Sequence, residues 1–336
     1  MLNQTAARLR GLIVLILPIL FLQTPAIGQQ KAGSSSRSAK PIVSRTPWGD
    51  PDLQGVYTFA THTPLERPEQ FADKATLSEN EKAEFEAKRA ALFDTAGVYN
   101  SFWTAGEGGK LVDRTSLILD PENGRQPPYT ERVQKIKQEA EKQVAAKRVG
   151  KEDTFDSWED LSIYTRCIAR ALPRIYQEYN HGVQILQSPG YVYIYYESMH
   201  DVRIVPLDGR AHVDSNIQLW NGDSRGHWDG NTLVVDSRNF SSKQQFEGAF
   251  GWGPSEENIH LTERFRKIDA TTIEYTVTVD DPATWTRPWT FMIPWRSDDP
   301  AYQKPEDLYE FACHEGNYRM MENSLKGSRA LRQSAK

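Results

Sequence analysis

Cysteine is nearly absent: the 336 residues hold two, Cys167 and Cys313. That excludes a CxxC redox motif and a four-cysteine zinc site. Histidine is sparse too, seven in all, with no HxH, HExxH or HxxxH spacing, so no metal is expected. A P-loop and a dinucleotide fingerprint are missing. Nucleotide and Rossmann chemistry is therefore not expected, nor is a serine-hydrolase elbow, and no cofactor is assigned. Basic runs are lacking: 40 Lys and Arg against 45 Asp and Glu give a net charge of −5. A mildly acidic chain without a basic patch argues against nucleic acid as a partner. Long apolar runs are lacking as well. The run at residues 12–22 has 11 residues, where a membrane span needs roughly 20.

That run is flanked as a secretory signal is. Arg8 and Arg10 precede it, and Ala26-Ile27-Gly28 comes after it as a small-x-small cleavage site. Residues 1–28 read as a cleaved signal peptide. The expected location is periplasmic or secreted, with no membrane anchor left after cleavage. Cleavage takes the net charge from −5 to −7, because two arginines and no acids leave. An oxidising compartment permits Cys167 and Cys313 to bond, each being the other's only partner. The bond would close a loop of about 146 residues, worth up to about 5 kcal/mol in the chain-entropy model.

The mature chain has two textures. Residues 29–43 are Ser- and Lys-rich and read as a disordered linker. Residues 44–175 read as a helical and irregular region packing on a β-barrel formed by the rest of the chain. Ser78 and Glu81 form a capping box opening a helix over 77–93. A charged surface helix is expected over 131–148, a third helix over 158–171, and a short strand at 115–119. From residue 176 the pattern turns to β. Strands are expected at 183–187, 191–197, 202–206, 225–228, 232–236, 259–267, 273–279, 286–295 and 308–313. Asp229-Gly230-Asn231 marks a hairpin. Short links without helical crossovers favour a mainly β fold with N-terminal helices. The specific expectation is an antiparallel up-and-down, lipocalin-like β-barrel of eight or nine strands over 176–320. Such a barrel can hold one small ligand. Residues 321–336 read as a flexible tail.

Four stretches resemble a family of exported bacterial proteins. They are Pro47-Trp48-Gly49-Asp50-Pro51-Asp52-Leu53-Gln54-Gly55, the run Gly222-Asp223-Ser224-Arg225-Gly226-His227-Trp228-Asp229-Gly230-Asn231-Thr232-Leu233-Val234-Val235, Thr286-Arg287-Pro288-Trp289-Thr290, and Cys313-His314-Glu315-Gly316-Asn317-Tyr318. The resemblance spans about residues 44 to 320. It implies export and a calycin-type barrel, and it supplies no catalytic residues.

Candidate chemistry falls in three places. Glu197, His200, Asp201 and Arg203 cluster at a hairpin. His200 could act as a general base, with Asp201 orienting it and Arg203 holding an anion; a solvated hairpin tip is the plainer reading. His314 and Glu315 come after the last expected strand, where a bond through Cys313 would pin them. Glu263 shares the apolar face of its strand with Ile259, Leu261 and Phe265, and a strand cannot turn it out. Arg287 is placed on a face with Trp285, Trp289, Phe291 and Ile293, so a buried Glu263–Arg287 pair is expected, either as a core salt bridge or as a ligand contact. Nine Trp and 14 Tyr, Tyr193 and Trp289 among them, could line a pocket for a flat molecule. The leading expectation is an exported barrel holding a small, partly apolar organic molecule, aromatic ones included, with cofactor-independent acid–base catalysis of a lyase, isomerase or hydrolase type. The alternatives are a non-catalytic periplasmic binding protein and an envelope or carbohydrate-contacting module.

Overall fold

Alternation of apolar and polar side chains lays down most of the structure. The computed structural model describes residues 43–94, 109–150, 152–170, 172–175, 180–241, 259–299 and 304–335. The expected signal peptide at 1–28 and nearly all of the expected linker at 29–43 lie outside them. Among the described residues ten strands form one antiparallel sheet. They are β1 (Gly55–Thr58), β2 (Ile118–Asp120), β3 (Gly182–Ser188), β4 (Tyr191–Tyr196), β5 (Val202–Pro206), β6 (Asp223–Asp229), β7 (Thr232–Arg238), β8 (His260–Lys267), β9 (Thr272–Asp280) and β10 (Trp289–Arg296).

The strand order is β5-β4-β3-β1-β10-β9-β8-β7-β6, with β2 also on β10. Two meanders, β3–β5 and β6–β10, are therefore joined by β1, which pairs with β3 over four residues and meets β10 at Thr58–Arg296. The joint is only four residues long and comes after a turn-rich start, so strand patterning does not reveal it. The β6–β7 hairpin turns at Gly230 and Asn231, with Gly230 at φ +60°, a conformation that costs glycine little.

The mostly-β expectation holds, but the sheet is not closed into a barrel. No ladder joins β5 to β6 among the described residues. The two outer strands still touch. A Cβ built on Gly226 of β6 would lie 2.7 Å from the side chains of Val205 and Leu207, so the absence of a side chain lets β6 lie against β5.

Among the described residues three helices accompany the sheet. Helix α1 (Glu79–Asp94) is opened by the expected capping box, with the Ser78 backbone N–H donating to Glu81 Oε2 at 2.8 Å. Helix α2 (Glu131–Ala146) is capped by Thr130 and buries only Val133. Helix α3 (Cys313–Ser334) occupies the expected last strand's end and the expected tail. Residues 308–313 do not pair as a strand, because their backbone donors go elsewhere: Tyr309 to Glu197 Oε1 at 3.3 Å and Phe311 to His200 Nε2 at 3.1 Å. The expected helix at 158–171 is a single 3-10 turn, Trp158–Asp160. Cys167, at φ +54°, is not helical.

Cys167 and Cys313 are disulfide-bonded, as expected. The bond fixes the start of α3 to the 161–170 segment. Farther along, Ser328 Oγ of α3 accepts from the Phe155 backbone at 3.0 Å, and Arg332 pairs with Asp156 at 2.6 Å.

Candidate functional site

Glu263 faces inward on β8 and is completely buried. Its partner is Arg203 of β5, 60 residues away, rather than Arg287. Arg203 grips it with two hydrogen bonds, Nη1 to Oε1 at 2.9 Å and Nη2 to Oε2 at 2.5 Å. Nη2 also donates to Ser224 Oγ and Ser237 Oγ, each at 3.1 Å, and the Tyr275 hydroxyl donates to Glu263 Oε1 at 2.6 Å. Bidentate geometry plus three hydroxyl partners matches the two charges out of water, leaving only Arg203 Nε without an acceptor. Burial alone would lower the Arg203 pKa, but the Glu263 charge outweighs it and holds the guanidinium above its usual value. Burial, then the neighbouring Glu263 charge, pushes the Tyr275 hydroxyl well above the usual tyrosine value. Rings fill the space around the pair. Tyr275 lies 4.8 Å from Phe265 and 4.7 Å from Trp295 between centroids, and Tyr196 meets Trp295 edge-on at 6.2 Å.

Arg287 is exposed and pairs with Asp120 at 2.7 Å. The period-two reading fails there because β10 begins only at Trp289, after Pro288, so Arg287 belongs to a turn and not to the buried face. Trp289 is fully buried. Tyr193 lies on the outer face of β4, its hydroxyl 3.2 Å from Ser188 Oγ.

The hairpin candidates do not converge: Glu197, His200, Asp201 and Arg203 each go to a different partner, and Asp201 turns to Arg174 instead of orienting His200. Glu197 is buried. Its Oε1 accepts from Asn180 Nδ2 at 3.0 Å and its Oε2 from the Gly182 backbone at 3.1 Å. Asp201 pairs with the buried Arg174, which also donates to the Ser198 carbonyl at 3.1 Å and stacks 4.2 Å over the Tyr196 ring. Burial pushes the Asp201 pKa up, against the pull of Arg174. His200 is exposed, adopts φ +51° after Met199 at φ +65°, and accepts from the Phe311 backbone. His314 and Glu315 are exposed in the first turn of α3.

Three features escape the sequence reading. The first is a motif: Gly222-Asp223-Ser224-Arg225-Gly226 matches G-x-S-x-G, against the expectation that no serine-hydrolase signature is present. Its Ser224 lies inside strand β6 and hydrogen-bonds Ser237 at 2.9 Å and Arg203. A nucleophile elbow needs an exposed serine on a strand-to-helix turn, and this serine is neither. The second is a group on the sheet's outer face. His212 contacts Asp223 at 2.9 Å and Asp236 at 2.7 Å, and Asp236 is shared with His260 and Arg238. Among the described residues no set of three His, Cys, Asp or Glu is arranged to hold a metal.

The third is a cavity of about 400 Å³. One wall comes from the segment that the disulfide and α3 brace: Trp158, Glu159, Leu161, Ile163, Arg166 and Ile168. The other wall is Trp220, in the β5–β6 connection. Leu219 fixes that connection, donating to the Asn239 carbonyl at 2.8 Å and accepting from the Ser241 backbone at 2.9 Å. The Ser157 side chain accepts from Glu159 N at 3.2 Å, and Asp160 reaches back to Ser157 N at 3.2 Å, completing a capping box around Trp158. A spacing rule could not find this pocket, since its walls are some 50 residues apart in a region with no repeating pattern.

No protein-family model, curated protein or solved structure matches this chain. Among the described residues no helix is long and apolar enough to cross a membrane.

Proposed function

We propose that this protein is an exported carrier that binds one small, partly apolar organic molecule in the cavity between Trp158 and Trp220. The carrying observation is the cavity itself: about 400 Å³, with two indoles and three aliphatic side chains on its walls. That size and lining suit a single small ligand. Bracing by a disulfide and by α3 keeps such a wall in place before the ligand arrives, which lowers the ordering cost of binding.

Binding without turnover is the better reading, because the groups nominated for acid–base work are engaged. Both Glu197 oxygens accept from neighbouring donors, Asp201 is held by Arg174, and Glu263 by Arg203. The same reading takes the sheet as a barrel-like wrap whose ends are held by side chains. The Arg203 bond to Ser224 and the seat of Gly226 under Val205 and Leu207 support it. The interior of the wrap is then a packed core, and the ligand site lies beside it.

The test uses the mature, disulfide-bonded chain and the neutral fluorophore N-phenyl-1-naphthylamine. Saturable one-to-one binding in the wild type, weakened at least tenfold in Trp220→Ala with an unchanged circular dichroism spectrum, is expected. Absence of saturable binding, or binding indifferent to Trp220, would overturn the reading.

A further inference from the structure

We infer that the ligand is a flat aromatic monoanion, an aromatic carboxylate in the simplest case, whose negative group is taken by Arg166; this rests on the carrier reading above. Arg166 is the arginine on the cavity wall. Its guanidinium lies 4.9 Å from the Trp158 ring centroid and lines the cavity. Among the described residues it forms no ion pair and no side-chain hydrogen bond, and its Nε is shut off from solvent without an acceptor. The Nε atoms of Arg203 and Arg174 are unmatched as well, but each of those guanidiniums holds a carboxylate of the protein through its other nitrogens.

A guanidinium without a carboxylate of the protein, on the wall of a largely apolar cavity, favours an anion over a neutral group there. A guanidinium held over an indole is also restricted in its motion. The matching acceptor is planar and bidentate, as a carboxylate is. Trp220 supplies an indole for an aromatic ring to pack on, while the Trp158 ring carries the guanidinium, and Leu161, Ile163 and Ile168 supply apolar contact. Glu159 also lines the cavity and, among the described residues, forms no ion pair. A single negative group can settle on Arg166, while a second would meet this carboxylate, so the class is a monoanion. A hydroxyl or amino substituent on the ring would find an acceptor there.

Displacement of bound N-phenyl-1-naphthylamine separates this inference from the one beneath it. The competitors are benzoate, its neutral isostere benzamide, and cyclohexanecarboxylate. Benzoate is expected to displace at about one tenth the concentration that benzamide needs, the size of one charge-assisted contact. It should also outcompete cyclohexanecarboxylate. Arg166→Gln should bring benzoate and benzamide within twofold of each other, each displacement constant being read against the variant's own affinity for the fluorophore, and Arg166→Lys should keep part of the preference. If the fluorophore binds but benzoate and benzamide compete equally, or the preference survives Arg166→Gln, the anion assignment fails and the carrier reading stands. Equal competition by cyclohexanecarboxylate would overturn the aromatic assignment. If the fluorophore does not bind, both fall together.

Discussion

Glu263 and Asp236 sit on neighbouring strands, β8 and β7, and their side chains lie on opposite faces of the same sheet. Inside, Glu263 has one guanidinium and two hydroxyls within reach and no imidazole. Outside, Asp236 has two imidazoles and one guanidinium, all partly open to water. The two carboxylates show what a face decides. The inner one must be matched completely, because water cannot repair a missing bond. The outer one can be matched loosely, because water and salt screen whatever is left over.

The comparison is broken most violently from the inside. Arg203→Ala should cost about 3–5 kcal/mol, since it strands the Glu263 carboxylate. Urea unfolding measures it. Arg203→Met combined with Glu263→Leu should recover most of that loss, because the cost lies in the unpaired charge and not in the absence of the pair. A loss under about 1 kcal/mol for the single variant would mean that water reaches the inner face.

Next comes the contact that brings β5, and with it Arg203, against β6. Gly226→Ala should cost about 1–3 kcal/mol by forcing a methyl into Val205 and Leu207. A neutral result in the same unfolding assay would show that the two outer strands are not held together. Tyr275→Phe removes one donor from Glu263 and should cost about 1–2 kcal/mol. In the wild type, the hydroxyl is held neutral through the alkaline range where exposed tyrosines titrate. That contribution to stability is complete below the unfolded-state pKa of about 10 and is lost as pH rises through the folded value above it. Ultraviolet absorbance should show Tyr275 ionising only with unfolding.

The smallest effect is expected outside. Burial raises the Asp236 pKa, but Arg238, His260 and His212 outweigh that and hold it below the usual carboxylate range. The stabilisation is therefore present above the unfolded-state value of about 3.9 and fades as pH falls through the folded value beneath it. Asp236→Asn should cost at most about 1 kcal/mol at neutral pH, and nothing once the carboxyl is protonated in wild type. A pH series of denaturation midpoints checks this. A loss as large as that of Arg203→Ala would erase the distinction between the two faces.

Much of this was legible in the residues. Period-two alternation placed Glu263 on a buried face; Ser237, beyond the end expected for its strand, was missed, although it comes after Leu233 and Val235 on the inner face of β7. The cysteine pair and the capping box at Ser78 were legible because each needs only two residues and a simple condition. Arg287 misled, because alternation was carried past Pro288 into a turn. In β5 the pattern misleads outright: Val202 and Ile204 are exposed while Arg203 is buried. Hydropathy alone would turn that strand over.

By itself, then, the sequence determined the antiparallel β character, the disulfide partners and the need for something to neutralise Glu263. Those come from local periodicity, from the count of cysteines and from the cost of a buried charge. Only the tertiary structure decided that the partner is Arg203, that β1 joins the two meanders, and that Trp158, Arg166 and Trp220 share one cavity. Each of these is a meeting of segments far apart in the chain. No local spacing encodes such meetings, because they are settled by which faces can be buried together and which charges must be matched once they are.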